Sequence, residues 1–210
     1  MSVTVQSIVS AAMREWEHWG KSTWNVTTAQ KQIGHTDKED AFAQYIIEKY
    51  CSVTRVNPTR SSIQNDEFFW SAVGMSAFMC MGGFKEDQFP FSQRHSTFIR
   101  KFVAARKVND SSCPFWGYRA EEIGISPEVG DLVAYAYGDG ITAEQAATYY
   151  DKTSLYSSHS DLVVAKRPTE IDVIGANVCD SVTMKTLPID QDGHIADPHH
   201  HWFAVLKHRF

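Results

Sequence analysis

The chain has 210 residues, of which 43% are hydrophobic and 21% are charged, and its formal net charge at pH 7 is −5. This length is enough for one domain with a buried core. The acidic balance, with charges of both signs spread along the chain, argues against a protein that binds nucleic acid through phosphate contacts. No segment reaches the roughly 18 apolar residues that a membrane-spanning helix needs, so we predict no membrane insertion.

The cysteines and the N-terminal segment bear on the redox compartment and on targeting. The cysteines are widely spaced and include no CxxC pair, which does not favour a zinc site or a dense disulfide framework. The N-terminal segment, MSVTVQSIVSAAMREWEHWG, has neither the basic region nor the cleavage site of a secretory signal. We therefore expect a protein made in a cytoplasm with reduced cysteines, and we predict no cofactor.

Apolar residues recur with helical spacing in the first half of the chain. This spacing predicts helices in four segments: 1–20, 38–51, 68–80 and 94–107. Gly82 and Gly83 end the third of them.

The second half changes to the composition of strands, rich in Val, Ile and aromatic residues. Five strands are predicted, with a short helix around Thr142–Tyr150: 131–137, 159–166, 170–178, 181–187 and 201–208. Helices followed by strands are typical of an α+β domain with an antiparallel sheet. We predict a single domain over 1–210, with a helical part at about 1–107 and a sheet part at about 128–210.

The strands at 159–166 and 170–178 flank a tight connection and predict a β-hairpin. If its centre is Pro168, residues whose numbers sum to 336 face each other, so that His159 lies opposite Asn177. Opposed Cβ atoms lie about 4.5–5.5 Å apart. A carboxamide at that distance can hold a histidine in one tautomer, as a general base requires. The alternative is a polar pair at the sheet edge without a catalytic role.

Alternation along the strands places further residues on the same face of this hairpin. They are His159, Asp161, Val163, Val173, Gly175 and Asn177. A bulge near the turn would shift the register and break the pairing of His159 with Asn177.

The segment FFWSAVGMSAFMC, residues 68–80, places Trp70 and Ser71 near the start of the third helix. A serine there is often an N-cap or a small packing residue. Its hydroxyl can also lie at the positive end of the helix, beside N–H groups that stabilise an oxyanion, while a histidine takes its proton. If Asn65 or Asp66 caps the helix instead, Ser71 lies in the second turn.

The thiols are weaker candidates for a nucleophile. Cys80 lies nine residues after Ser71, half a helical turn out of phase at roughly 100° per residue, so it faces away from the side that carries Ser71. We assign Cys80 to hydrophobic packing with Phe78 and Met79. Cys113 has no histidine nearby in the sequence and is an outside candidate.

The ordered motifs WSA, PEVGDLVAY, HSDLVV and IGANV resemble the papain-like cell-wall amidases and peptidases of the NlpC and CHAP type. The chain is more similar still to a related bacterial family, catalogued as a domain of unknown function, in which WSA stands at the nucleophile motif. The resemblance spans about residues 66–180 and implies a papain-like fold with N-terminal helices packed on an antiparallel sheet. By position it makes Ser71 the nucleophile, His159 the base and Asn177 the residue that orients His159.

The resemblance also implies a function. Most NlpC-type enzymes use cysteine, and this chain has a serine, so two readings stay open. The first is a hydrolase of an amide bond in peptidoglycan stem peptides; the alternative is a catalytically inactive module that binds cell-wall fragments or a protein partner. The chain is also similar to antibacterial effectors of the type VI secretion system, including the TseH kind. That similarity implies delivery to the periplasm of a target cell, an immunity protein and a component of the secretion apparatus.

Other histidines need assignment. His95, at the start of the fourth helix, lies in a segment that also resembles the family; it lines the cleft, competes with His159 as base, or is a cap or surface residue. We assign His95, Trp70 and Asp161 to substrate binding. The run 199–201 contains three histidines, but no carboxylate or cysteine stands at a suitable ligand spacing, so we predict no metal.

Overall fold

The computed structural model describes residues 3–210. Its helices are α1 (Val5–His18), α2 (Asp40–Tyr45), α3 (Ser52–Thr54), α4 (Arg60–Gln64), α5 (Ser71–Met81), α6 (His95–Lys107) and α7 (Ala143–Ala147). A π-helical segment, Ile46–Cys51, joins α2 to α3, and a 3₁₀ segment, Thr148–Asp151, follows α7. None of the helices in this range has the length and apolar character that crossing a membrane demands.

The strands are β1 (Ser22–Asn25), β2 (Lys31–Gln32), β3 (Phe115–Arg119), β4 (Leu132–Ala136), β5 (Ser158–Arg167), β6 (Glu170–Val178), β7 (Ser181–Pro188) and β8 (Trp202–His208). They form one sheet in the order β2-β1-β7-β6-β5-β4-β8-β3. The predicted α+β class is confirmed. The sheet is mixed rather than antiparallel, because β1 runs parallel to β7 while the other pairs are antiparallel.

Three strands lie outside the predicted sheet part of the chain. β1 and β2 are four and two residues long and fall within the part predicted to be helical. Such short polar segments carry too little period-two pattern to be recognised from the sequence. β3 does alternate buried and partly buried residues, and it falls between the two predicted parts.

The two faces of the sheet have different coverings. Helices α1, α5 and α6 pack on one face, where the larger core includes Leu162 and Ile174. A smaller cluster, with Val163 and Val173, covers the opposite face. Because both faces are buried, β4 and the first part of β8 are nearly continuous apolar runs rather than strict alternations.

Helix α5 lies at the centre of the molecule and is buried along most of its length, from Ala72 to Met79. A helix that is apolar on all sides is typical of a buried position. A Cβ at Gly74 would overlap the side chain of Ala176 in β6, so this glycine permits α5 to approach the sheet closely. The approach fixes where the first residue of α5, Ser71, lies relative to β5 and β6.

The start of α5 agrees with one of the two expected positions. Asn65 is the C-cap of α4 rather than an N-cap of α5, and Asp66 follows it with φ of 59°. Trp70 occupies the N-cap position of α5. Ser71 is therefore the first helical residue.

The β5–β6 hairpin departs from the predicted register near its turn. The connection has two residues, so Arg167 pairs with Glu170, and an irregularity around Val164 restores the predicted pairing at Val163–Val173. At the far end, Asn177 has φ of 57°, next to an irregularity in the pairing of β6 with β7. This backbone is not extended, and the pairing of β5 with β6 runs from Arg167–Glu170 to Leu162–Ile174. The expected pair of His159 with Asn177 is not among these pairs.

Candidate active site

Ser71 and His95 form a hydrogen-bonded pair. Their side chains come from the first residues of α5 and α6, and Ser71 Oγ lies 2.9 Å from His95 Nε2. That separation is within the range in which a general base can take a proton from a nucleophile. The start of one helix thus supplies the hydroxyl, and the start of the next supplies the imidazole.

A second hydroxyl holds His95 from behind. Ser160 Oγ of β5 lies 2.8 Å from His95 Nδ1 and is fully buried. If Nε2 accepts the Ser71 proton, Nδ1 must carry the ring hydrogen and donate it to Ser160. Burial lowers the pKa of His95 well below the ordinary imidazole value, and the neighbouring His159 lowers it further. A neutral imidazole, the form that can accept a proton, is therefore stable at neutral pH.

The backbone at the start of α5 provides donors close to Ser71. The N–H of Gly74 donates to the carbonyl of Trp70, which is the first hydrogen bond within the helix. The N–H groups of the residues before Gly74 therefore have no acceptor within the helix. The N-cap Trp70 gives them no side-chain hydrogen bond. Negative charge is stabilised at such a helix end. The arrangement suits an oxyanion that forms when Ser71 attacks a carbonyl group.

A second histidine lies beside the first. The ring centroids of His95 and His159 are 4.9 Å apart. His159 Nε2 lies 3.0 Å from Asp161 Oδ1, and Lys185 Nζ lies 2.8 Å from Asp161 Oδ2. The Asp161 and Lys185 side chains are fully buried, so this is an ion pair inside the protein with a histidine at one end.

The charges in this second set support one another. Although burial raises the pKa of a carboxyl group, Lys185 and His159 outweigh it, and the pKa of Asp161 lies below its usual range. Burial lowers the pKa of His159, against the opposing effect of Asp161. His159 is then neutral at neutral pH, with its Nε2–H donated to Asp161.

The surroundings of Asp161 are shaped to receive it. A Cβ at Gly175, on the neighbouring strand, would overlap Asp161 Oδ1, so only glycine leaves room for the carboxylate. The ammonium of Lys185 also lies over two aromatic rings, 4.8 Å from the centroid of Tyr135 and 5.2 Å from that of Trp202. Such cation–π contacts stabilise a desolvated ammonium group.

Both histidines and Ser71 open on one cleft of about 590 Å³. Its wall also contains Asn177 and six aromatic residues: Trp24, Phe68, Phe69, Tyr135, Tyr137 and Tyr156. Phe69 and Tyr137 are 60% and 54% exposed, so their rings are accessible to a ligand in the cleft. The cleft has the size and mixed lining of a ligand site.

The structure distributes the residues predicted for the site as follows. Ser71, His95, His159 and Asn177 line the cleft together. The histidine in contact with Ser71 is His95, which we had assigned to substrate binding, rather than His159. The partner of His159 is Asp161 rather than Asn177, because Asn177 lies at the irregular end of β6.

The other two residues assigned to substrate binding lie elsewhere. Trp70 is fully buried and donates its indole N–H to Asp37, and Asp161 is fully buried behind His159. Neither side chain is accessible to a substrate in the cleft.

Two residues of the site escaped the sequence reasoning. Strand alternation places Ser160 on the face opposite His159, toward the helices, and this signal could have pointed to it. Lys185 looks like an ordinary strand lysine, and only the position of β7 beside β6 shows that it is buried.

The histidines of the run 199–201 do not converge on one point. His199 Nε2 lies 3.0 Å from the carbonyl of Val26, and His200 Nδ1 lies 2.7 Å from Asp197. His201 is exposed. His199 and His200 thus have separate hydrogen-bond partners.

Comparison with known proteins identifies the family. No curated protein and no solved structure matches the chain. Residues 12–208 match the family described as "Uncharacterized protein conserved in bacteria (DUF2272)". Because this match covers far more than half of its length, the chain belongs to the DUF2272 family.

Proposed function

We propose that this protein is a serine-dependent amide hydrolase with a papain-like arrangement of its site. The observation that carries the proposal is the 2.9 Å contact between Ser71 Oγ and Nε2 of the buried His95, at the start of a helix. The packing of α5 on β5 and β6 supports the papain-like arrangement, as does the position of His159 near the start of β5.

In this mechanism Ser71 Oγ attacks the carbonyl carbon of the amide and its proton moves to His95 Nε2. The new oxyanion is stabilised by N–H groups at the start of α5; one such donor contributes about 10²–10³ in rate in a well-studied protease. The intermediate collapses, and the departing amine takes the proton from His95. Water then attacks the acyl-enzyme, His95 accepts its proton and returns it to Ser71, and the acid is released.

His159 acts beside the dyad. Its Nε2 is committed to Asp161, which leaves Nδ1 as the nitrogen available to a ligand in the cleft. We assign it to the positioning of the substrate carbonyl or leaving group. Asp161 and Lys185 hold its ring in place from the interior.

The substrate that we propose is the stem peptide of peptidoglycan. This choice rests on the resemblance of the WSA, GDLV, HSDLVV and IGANV segments to cell-wall amidases, and the exposed aromatic rim of the cleft suits an extended ligand. Delivery to the periplasm of a target cell, with an immunity protein in the producer, belongs to the same proposal.

The test is digestion of purified peptidoglycan sacculi, with released muropeptides measured by mass spectrometry. We expect cleavage by the wild type, loss of about 10⁴-fold or more in Ser71→Ala, and unchanged cleavage in Ser111→Ala, a control at an exposed serine. Absence of cleavage by the wild type, together with retained binding to sacculi, would instead support an inactive binding module.

A cell-based test addresses delivery. The protein directed to the periplasm of a bacterial host should cause lysis, whereas Ser71→Ala directed there, or the wild type kept in the cytoplasm, should not. Equal toxicity of wild type and Ser71→Ala would argue against hydrolysis as the cause.

A further inference from the structure

Three carboxylates from distant parts of the sequence converge near the start of α5. Asp37 lies before α2, Asp66 lies between α4 and α5, and Asp180 lies in the turn between β6 and β7. One oxygen of each can be chosen so that all three lie within 4.8 Å of one another. Oxygens that bind one Ca²⁺ at about 2.4 Å are separated by at most about 4.8 Å, so the spacing of the three carboxylates is compatible with a shared cation.

Asp37 is the buried member of the cluster, and its side chain is 2% exposed. Its Oδ2 accepts a hydrogen bond from Trp70 Nε1 at 2.8 Å. Its Oδ1 is buried and has no hydrogen-bond partner among residues 3–210. A buried carboxylate oxygen without a hydrogen bond is costly, and the nearest cation to this one, Lys38 Nζ, lies 3.5 Å away.

Lys38 compensates the cluster only in part. Its Nζ lies 2.6 Å from Asp66, but 3.5 Å from Asp37 and 3.9 Å from Asp180, distances longer than the roughly 2.8 Å of charge-assisted hydrogen bonds. One ammonium thus faces three carboxylates.

We propose that Asp37, Asp66 and Asp180 bind a hard divalent cation of the Ca²⁺ class, with Lys38 moving aside when the ion enters. The Lys38 side chain is 37% exposed, so its head group can turn into solvent. Three carboxylates supply three to six oxygen ligands, and water completes the six to eight that Ca²⁺ takes.

The ion would join segments that form the cleft. Trp70, bonded to Asp37, directly precedes Ser71, and Asp180 follows Cys179, which lines the cleft. A bound cation therefore fixes the start of α5 against the β6–β7 turn. Its binding is a property separate from hydrolysis and is measured without a substrate.

The experiment uses Tb³⁺ as a luminescent probe and Ca²⁺ as the competing ion. Because the Trp70 indole contacts Asp37, excitation of tryptophan should sensitise Tb³⁺ emission. Ca²⁺ should reduce this emission by displacing Tb³⁺ from the site. At Ca²⁺ about 100-fold above its Kd, we expect the Tm of the wild type to rise by roughly 5–10 °C. Asp66→Asn and Asp180→Asn should each lower the affinity by about tenfold or more.

Two further variants make the outcome decisive. Asp192→Asn, an exposed aspartate in another turn, should bind as the wild type does. Lys38→Met removes the competing ammonium and should bind Ca²⁺ more tightly. The proposal is overturned if the wild type shows neither sensitised emission nor a Ca²⁺-dependent Tm rise, or if Asp66→Asn and Asp180→Asn bind as well as Asp192→Asn. It is also overturned if the Lys38→Met variant is less stable than the wild type and Ca²⁺ does not restore the difference. Lys38 would then be the only cation that neutralises the three carboxylates.

Discussion

His95 and His159 lie side by side, yet their partners are of opposite kinds. His95 has a hydroxyl at each ring nitrogen, Ser71 and Ser160, whereas His159 has the buried ion pair of Asp161 and Lys185. Hydroxyls fix a ring without supplying charge, so burial keeps His95 neutral and able to accept a proton. The Asp161 carboxylate orients His159 by its charge and accepts the hydrogen bond from His159 Nε2. In the proposed mechanism, His95 is therefore the histidine that transfers the proton and His159 the one that positions the substrate.

The largest expected difference between them is in catalysis. His95→Gln removes the base and should lower hydrolysis of sacculi by about 10²–10⁴-fold. His159→Gln keeps the Ser71–His95 contact and should lower it far less, mainly through KM. Steady-state rates of released muropeptides measure both, with His201→Gln as an exposed control. A larger loss of kcat in His159→Gln would reverse the two roles.

The ionic set should contribute more to stability than the hydroxyl set. Removing one partner of a buried ion pair costs about 3–5 kcal/mol, so Lys185→Met and Asp161→Asn should both lower the free energy of unfolding by that amount. Ser160→Ala leaves the buried His95 Nδ1–H without its acceptor and should cost about 1–3 kcal/mol. Urea unfolding measures all three.

The double variant Asp161→Asn/Lys185→Met tests whether the ion pair is a unit. It should cost less than the sum of the single changes, because neither charge is then left alone in the interior. Additive losses would show that the two charges are stabilised by other groups.

The space that Gly175 leaves for the Asp161 carboxylate leads to a prediction with a smaller effect on stability. Gly175→Ala places a Cβ against Asp161 Oδ1 and should destabilise the fold by about 1–3 kcal/mol. In the Asp161→Gly background the same change should cost less, since the clash is removed. Urea midpoints of the four combinations provide the measurement, and an equal cost in both backgrounds would contradict the proposed contact.

The pH dependence of stability should be the most gradual effect. Both histidines have a lowered pKa in the folded state, so below about pH 6.5 the unfolded chain binds more protons than the folded one. Stability should therefore fall as the pH decreases from 7 to 5. The slope should become shallower in His159→Gln but not in His201→Gln, as followed by the urea midpoint. Stability contributed by Asp161, whose pKa is lowered, is lost only below about pH 4.

Local signals of the sequence were sufficient for part of the site. The strand pattern at 159–166 and 170–178 lies within β5 and β6, and alternation places Asp161 and Gly175 face to face. A helix beginning at Ser71 was one of two positions that the sequence left open. These features depend on neighbours along the chain or across one tight turn.

The rest depends on how distant elements pack. The contact of Ser71 with His95 requires that the starts of α5 and α6 meet over β5, and neither helix pattern specifies that meeting. Asn177 does not pair with His159 because β6 is irregular where it pairs with β7. The prediction of the hairpin register considered only β5 and β6. The burial of Lys185 likewise follows from three strands and two aromatic rings together.

The central claim, that His95 rather than His159 activates Ser71, can be tested without a natural substrate. A fluorophosphonate loses fluoride when an activated serine oxygen attacks its phosphorus, and the adduct is measured by intact-protein mass spectrometry. We predict one adduct on Ser71 at pH 7, none in Ser71→Ala, labelling slowed by about 10²-fold or more in His95→Gln, and labelling near the wild-type rate in His159→Gln. An unlabelled wild type, or slower labelling in His159→Gln than in His95→Gln, would contradict the account.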